Sequence, residues 1–234
     1  MIKNFPDISV YNAQTKNVKH ADKIYKYLVA QANAHIKRNK ESELSYVTSL
    51  LQLTYCAYAE SLFLKIIHTP YGFKLDEIKS IKLEVVENGI TAGWKKCIEI
   101  ALRKTKFRKS SHCPNVKKEL NKLINTYLLN PSQIRNKLAH GQFVIALRKD
   151  NNAVNDDLTD SIERLDIVEI SKNYYALSLI AKMVEDIVES PEKAHINQYY
   201  SDLCKLEEEL KSRSKWTLKS KKVKLLKKAQ NKKL

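Results

Sequence analysis

Four glycines and five prolines in 234 residues leave this chain few places to turn. Glycine supplies the left-handed conformations of tight turns and proline interrupts hydrogen-bonded elements, so a scarcity of both favours long helices. The apolar periodicity agrees. Ile24, Leu28, Ala32 and Ile36 recur at i, i+4 and predict an amphipathic helix from His20 to about Arg38. From Glu41 to about His68 the apolar positions (Val47, Leu50, Leu51, Leu53, Ala57, Phe63, Leu64, Ile67) cover most sides, as in a helix at the centre of a bundle. Leu75, Ile78, Leu83 and Val86 predict a helix over Lys74–Glu87 that Gly89 ends, and Thr91 is placed to cap the next, through Trp94, Cys97, Ile98, Ala101 and Leu102. Pro114 opens another to about Leu129, a long helix over Asp160–Ser190 stops at Pro191, and a last one runs from Glu192 to about Lys211. Phe143, Val144, Ile145 and Leu147, then the turn-prone Asp150-Asn151-Asn152 and Ala153-Val154-Asn155, predict a small β-hairpin. The expected architecture is an all-α bundle with a minor hairpin. One principal domain spans residues 20–211, after an irregular lead-in over 1–19 and before a basic tail over 212–234.

Charge is unevenly spread. The net charge is +16, but residues 211–234 hold eleven Lys/Arg and no acid, so the remainder carries 31 − 26 = +5. Trp216, Leu218, Val223, Leu225 and Leu226 interrupt those lysines without a clean stripe. A partly disordered arm for nucleic acid suits that pattern, beside the alternatives of a lipid-surface segment or a solubilising tail. Cys56, Cys97, Cys113 and Cys204 include no C-x-x-C pair, and His112-Cys113 has no second pair at zinc spacing, so no metal site and no cofactor are expected. No run of 18 apolar residues is present, and the chain opens Met-Ile-Lys-Asn; a cytoplasmic protein with reduced thiols and no transmembrane segment is the expectation.

The chemistry concentrates in Pro131-Ser132-Gln133-Ile134-Arg135-Asn136-Lys137-Leu138-Ala139-His140-Gly141. Pro131 and Ser132 are start signals, the hydroxyl being able to cap free N–H groups, and Gly141 is a stop. At 100° per residue Asn136 and His140 share a face one turn apart, with Arg135 on its shoulder. A permanent cation, an amide and an imidazole therefore meet at one short helix end.

This stretch resembles the Arg-x(4–6)-His signature of the HEPN superfamily (higher eukaryotes and prokaryotes nucleotide-binding), in which the residue after Arg is commonly polar, as Asn136 is here. The resemblance is strictest over Pro131–Gly141 and barely reaches the tail. It implies a metal-independent endoribonuclease of the toxin or anti-phage kind, a HEPN-like bundle, and two subunits bringing their motifs together as a homodimer. Arg135 would hold phosphate oxygens, His140 would exchange protons with the ribose 2′-OH or the 5′-oxygen, and Asn136 would fix the imidazole tautomer or bind phosphate. The products would be a 2′,3′-cyclic phosphate and a 5′-hydroxyl. An antitoxin or other regulatory partner is implied as well. Some toxin members carry a modifiable tyrosine where this chain has Gln142, so control by that route is not expected. The other reading is a non-catalytic HEPN-like module that binds RNA or protein.

Two further sets of residues join this picture. Glu60 has apolar neighbours one turn away (Cys56, Ala57, Phe63, Leu64), and a carboxylate placed there needs a partner. Arg135 is the natural candidate, although a bridge between helices or a route to the surface would also satisfy it. Arg103, Lys104, Lys106, Arg108 and Lys109 surround Phe107, which suits single-stranded RNA or a solvated loop with one anchoring ring.

Overall fold

The computed structural model describes residues 4–230. It is all-helical. α1 (Ile8–Arg38) and α2 (Glu41–Ile67) form a helical hairpin around Asn39, whose left-handed φ of 55° lets its N–H close on the last carbonyls of α1. α3 (Leu75–Asn88) and α4 (Ile90–Arg103) form a second pair, turned by Gly89 at φ 86°. A short 3₁₀ turn (Lys106–Lys109) leads into α5 (His112–Ile124), which continues through a π-helical turn (Asn125–Leu129) into α6 (Asn130–Ala139). α7 (Asp156–Glu163), α8 (Ile167–Glu189), α9 (Ala194–Arg213) and α10 (Leu218–Gln230) complete the order.

α2 is the centre that its composition predicts. Leu51, Tyr55, Ala59, Phe63, Ile66 and Ile67 are buried along it, against Trp94, Cys97 and Ile98 of α4, Leu120 and Ile124 of α5, and Leu177, Ile180 and Val184 of α8. Each fully buried Leu, Ile or Phe contributes about 1.5–3 kcal/mol. α2 is also long and apolar enough to cross a membrane by length and composition, but most of it lies inside the bundle. Tyrosines tie α1 to α8: Tyr174 stacks on Tyr25 at 3.8 Å and on Tyr58 at 4.6 Å, and its hydroxyl donates to Asp22.

Several boundaries differ from the sequence reading, each for a local reason. α1 starts at Ile8, not His20, because the Asp7 carboxylate accepts from the Ser9 N–H and nucleates the first turn. Its inner face runs through Val18, Ala21, Tyr25, Leu28, Val29, Ala32 and Ile36, and Ile24 points outward. In α3 it is Ile78, Ile81 and Val85 that pack inward, while Leu83 and Val86 are exposed; Thr91 lies buried within α4 and caps nothing. The helix read as Asp160–Ser190 is two helices. Asn155 caps α7, and Asp166 accepts from the N–H groups of Val168 and Glu169 to start α8.

No strand forms among the described residues, so the predicted hairpin is not there. The segment folds back, but only Leu147 and Val154 make an antiparallel bridge. Two backbone bonds of 2.8 Å flank that bridge, from the Arg148 N–H to the Ala153 carbonyl and from the Asn155 N–H to the Ala146 carbonyl. Pairing ends there because Asn155 caps α7 and the Ala146 N–H turns to the Thr159 hydroxyl at 3.1 Å. The described part of the basic tail, expected to be partly disordered, is mostly helical, and residues 231–234 lie outside the described residues. α10 lies against α1 and α8, with Leu218 and Leu225 packed on the core.

Candidate functional site

The motif helix is the last part of a longer rod. Backbone dihedrals stay helical from α5 through the π turn into α6, so Pro131 sits inside a continuous helix instead of opening a new one. A proline there lacks the N–H, and its ring crowds the carbonyl four residues back, which is that of Tyr127. The π turn gives the ring room. The buried Tyr55 hydroxyl of α2 donates to the Tyr127 carbonyl, serving the group that residue 131 cannot. The Pro131 carbonyl in turn accepts from Gln52 Nε2 at 2.9 Å and from the Cys56 thiol at 3.3 Å. Ser132 does not act as the predicted cap; its hydroxyl donates back to the Leu129 carbonyl at 2.7 Å. Three residues of α2 thus hold the start of the motif, and none was legible as a site residue. The available signal was weak: donor-bearing side chains at positions 52, 55 and 56 on one side of a helix that carries other polar residues as well.

The other end is set as the sequence predicts. Gly141 takes φ 78°, its N–H bonds the Leu138 carbonyl, and the Gln142 N–H bonds the Lys137 carbonyl. That pair of bonds is the glycine-dependent helix stop. Ile134 and Leu138, one turn apart, are buried against Leu53, Ala146 and Ile162. Helical geometry then puts Asn136 and His140 on roughly the opposite side, facing out, and both are exposed. Lys137 Nζ donates to the Leu147 carbonyl, fastening the returning segment behind the helix end.

Arg135 and Glu60 meet. Nη2 of Arg135 lies 3.4 Å from Oε2 of Glu60, with the two side chains 34% and 51% exposed. The sequence reading of Glu60 as enclosed by apolar neighbours is corrected: Ala57 beside it is exposed, and the carboxylate reaches solvent. An exposed pair at this separation contributes little to stability, so its effect is on where the guanidinium points. Among the described residues neither Asn136 nor His140 hydrogen-bonds through its side chain. Cys56 lies near this pair, and burial pushes its thiol up to about 12, which makes it a packing group and not a nucleophile.

The basic segment is somewhere else. His112 and His140 are the two ends of the α5–π–α6 rod, roughly 40 Å apart along a path of 1.5 Å per residue. Arg103 bonds Glu99, and Lys104 bonds Glu77 and the Gly72 carbonyl while lying over the Phe73 ring. Lys104 therefore ties α3 to the end of α4, whereas Arg103 pairs within α4 and stays 69% exposed. Lys106, Arg108 and Lys109 remain exposed, but Phe107 packs edge-on against His112. His112 Nε2 also lies 3.1 Å from His195 Nε2, and its Nδ1 lies 3.2 Å from the Tyr200 hydroxyl. Among the described residues, no group of three or more His, Cys, Asp or Glu gathers as metal ligands would. No family model, curated protein or solved structure matches the chain.

Proposed function

We propose that this chain is a metal-independent endoribonuclease that works as a homodimer, with Arg135, Asn136 and His140 as its reacting groups. One observation carries the reading: the glycine-stopped end of α6 presents a cation, an amide and an imidazole to solvent on one side, with Glu60 fixing the cation and, among the described residues, nothing occupying the other two.

RNA carries its own nucleophile. His140 takes the proton of the 2′-OH, whose oxygen attacks the adjacent phosphorus. Arg135 stabilises the charge that develops on the non-bridging oxygens, the bond from phosphorus to the 5′-oxygen breaks, and that oxygen is protonated. The in-line geometry asks for an acid on the side opposite the base, which one histidine does not reach. A second copy supplies it. Support for that partner comes from α2, where Tyr46 and Leu50 are 68% and 49% exposed on the face that also carries Ala57 and Glu60. A symmetric contact there would cover apolar surface and bring two α6 ends together. A toxin or anti-phage role follows from the motif's resemblance to HEPN ribonucleases, and an antitoxin or regulatory partner would follow from that role. The alternative, an RNA- or protein-binding module without catalysis, makes the same surface a docking site.

The test is incubation of single-stranded RNA with the full chain in excess chelator, wild type beside His140→Ala, with folding and oligomeric size checked for both. Cleavage by the wild type alone supports the proposal. Retained binding without cleavage by either protein favours the module.

A further inference from the structure

We infer that a groove beside the motif binds the RNA strand next to the scissile phosphate, with α10 as its phosphate-facing wall. The groove has a volume of about 670 Å³. It lies between the end of α1, the start of α2, the segment after the motif, α7 and α10. Its choice of ligand rests on the ribonuclease reading, but the binding surface is argued from its own residues.

The floor is apolar, with Ile36, Leu44, Ile162 and Leu165 among its lining, and Phe143 on one side. Phe143 is 48% exposed, so its ring is presented and not consumed by the core. A base has an apolar face that stacks on such a ring whatever its identity. Phe143 is also three residues beyond His140, which by chain reach keeps it within about 11 Å of the motif's imidazole-bearing residue. A base on that ring and a phosphate at His140 are neighbours on one strand.

The charge is arranged to match. Within the groove itself Lys40 and Lys222 are balanced by Glu41 and Glu163, and Lys40 also pairs with Glu43 at 2.8 Å. That balance suits a neutral base. The surplus positive charge stands on α10, a helix that has no acid, where Lys219 is exposed one turn before the groove-lining Lys222; Lys224 lies over the Trp216 ring, and Lys227 and Lys228 are exposed further along. Lys222 is anchored by its bond to the Asn39 side chain, which fixes α10 as a wall of the groove. An apolar floor with one lysine wall accommodates single-stranded RNA, bases inward and backbone along α10. A duplex, with its bases already paired, gains nothing from Phe143.

The experiment uses full-length His140→Ala protein, so that the RNA survives, and measures fluorescence anisotropy of a labelled single strand over a range of salt. Phe143→Ala weakens binding about tenfold, and Phe143→Trp keeps it. Replacing Lys219 and Lys222 together by alanine lowers the slope of log affinity against log salt by about 0.7 for each phosphate no longer held. Unchanged affinity and slope in these variants overturn the inference. So does binding of anionic phospholipid vesicles that falls with the same lysines while RNA binding does not. If wild-type protein cleaves RNA but the groove variants bind it normally, the groove fails and the ribonuclease stands. If the groove variants lose RNA that the wild type never cleaves, the groove stands and the ribonuclease fails.

Discussion

Replacing Tyr55 by Phe tests how the motif helix is built. The ring stays buried and only the hydroxyl is removed, taking with it the one bond that serves the Tyr127 carbonyl from outside the helix. Pro131 offers that carbonyl no N–H, so Tyr55→Phe leaves a buried acceptor short of a donor, which costs about 1–3 kcal/mol. A second substitution sharpens the test. In a Pro131→Ala background residue 131 regains an N–H four residues on from Tyr127, and the hydroxyl becomes partly redundant. The Tyr55→Phe cost then falls below about 1 kcal/mol, and the double-mutant cycle gives a coupling of about 1 kcal/mol or more. Urea unfolding of the four proteins, followed by circular dichroism, reads both numbers. Equal cost of Tyr55→Phe in the two backgrounds would refute the role of Tyr55 as the support of the π turn.

Other perturbations probe the remaining parts of the molecule. Gly141→Ala meets no neighbouring atom within 4 Å but must hold φ 78°, so it costs about 1 kcal/mol through the backbone alone, and Gly141→Asn costs less; urea unfolding distinguishes them. Glu60→Gln changes stability by less than about 1 kcal/mol, because the pair with Arg135 is exposed, yet lowers cleavage by releasing the guanidinium. His195 is fully buried, and burial, then the adjacent His112, lower it to about 4, with Asp186 and Glu192 opposing that shift. Its unfolded form titrates near 6.5, so the unfolded state binds more protons between those values. The contribution is whole above about pH 6.5 and is lost as the pH falls towards 4, by at most about 3 kcal/mol. Stability measured from pH 7 to pH 4 should therefore fall more steeply for the wild type than for His195→Gln, and parallel curves would contradict this assignment.

The helical bundle was readable because its signals are local and repeated. Few turn formers and an all-round apolar stretch at 41–68 are enough to place α2 in the centre. The stop at Gly141 was readable for the same reason, since the left-handed cap lies within one turn of the chain. What could not be read depends on distant partners. Nothing near residue 131 reveals that Tyr55, far earlier in the chain, supports a helix running through the proline. Lys104 looks free in sequence because its partner Glu77 is known only once α3 and α4 pack, whereas Glu99, the partner of Arg103, lies one turn before it in the same helix. The predicted hairpin had the right turn and the right apolar residues. It stopped at one bridge because Asn155, bonded back to Ala146, is already the cap of α7 and leaves the return segment nothing further to pair. The lysine tail lacked a clean stripe, yet Leu218 and Leu225, two turns apart, sufficed to dock it.

The most direct measurement is the chemical identity of the RNA ends left by purified wild-type protein in excess chelator. The proposed mechanism predicts 2′,3′-cyclic phosphate and 5′-hydroxyl ends, absent when a folded, dimeric His140→Ala protein is used. Ends bearing a 5′-phosphate, or cleavage that chelator abolishes and His140→Ala leaves intact, would contradict it.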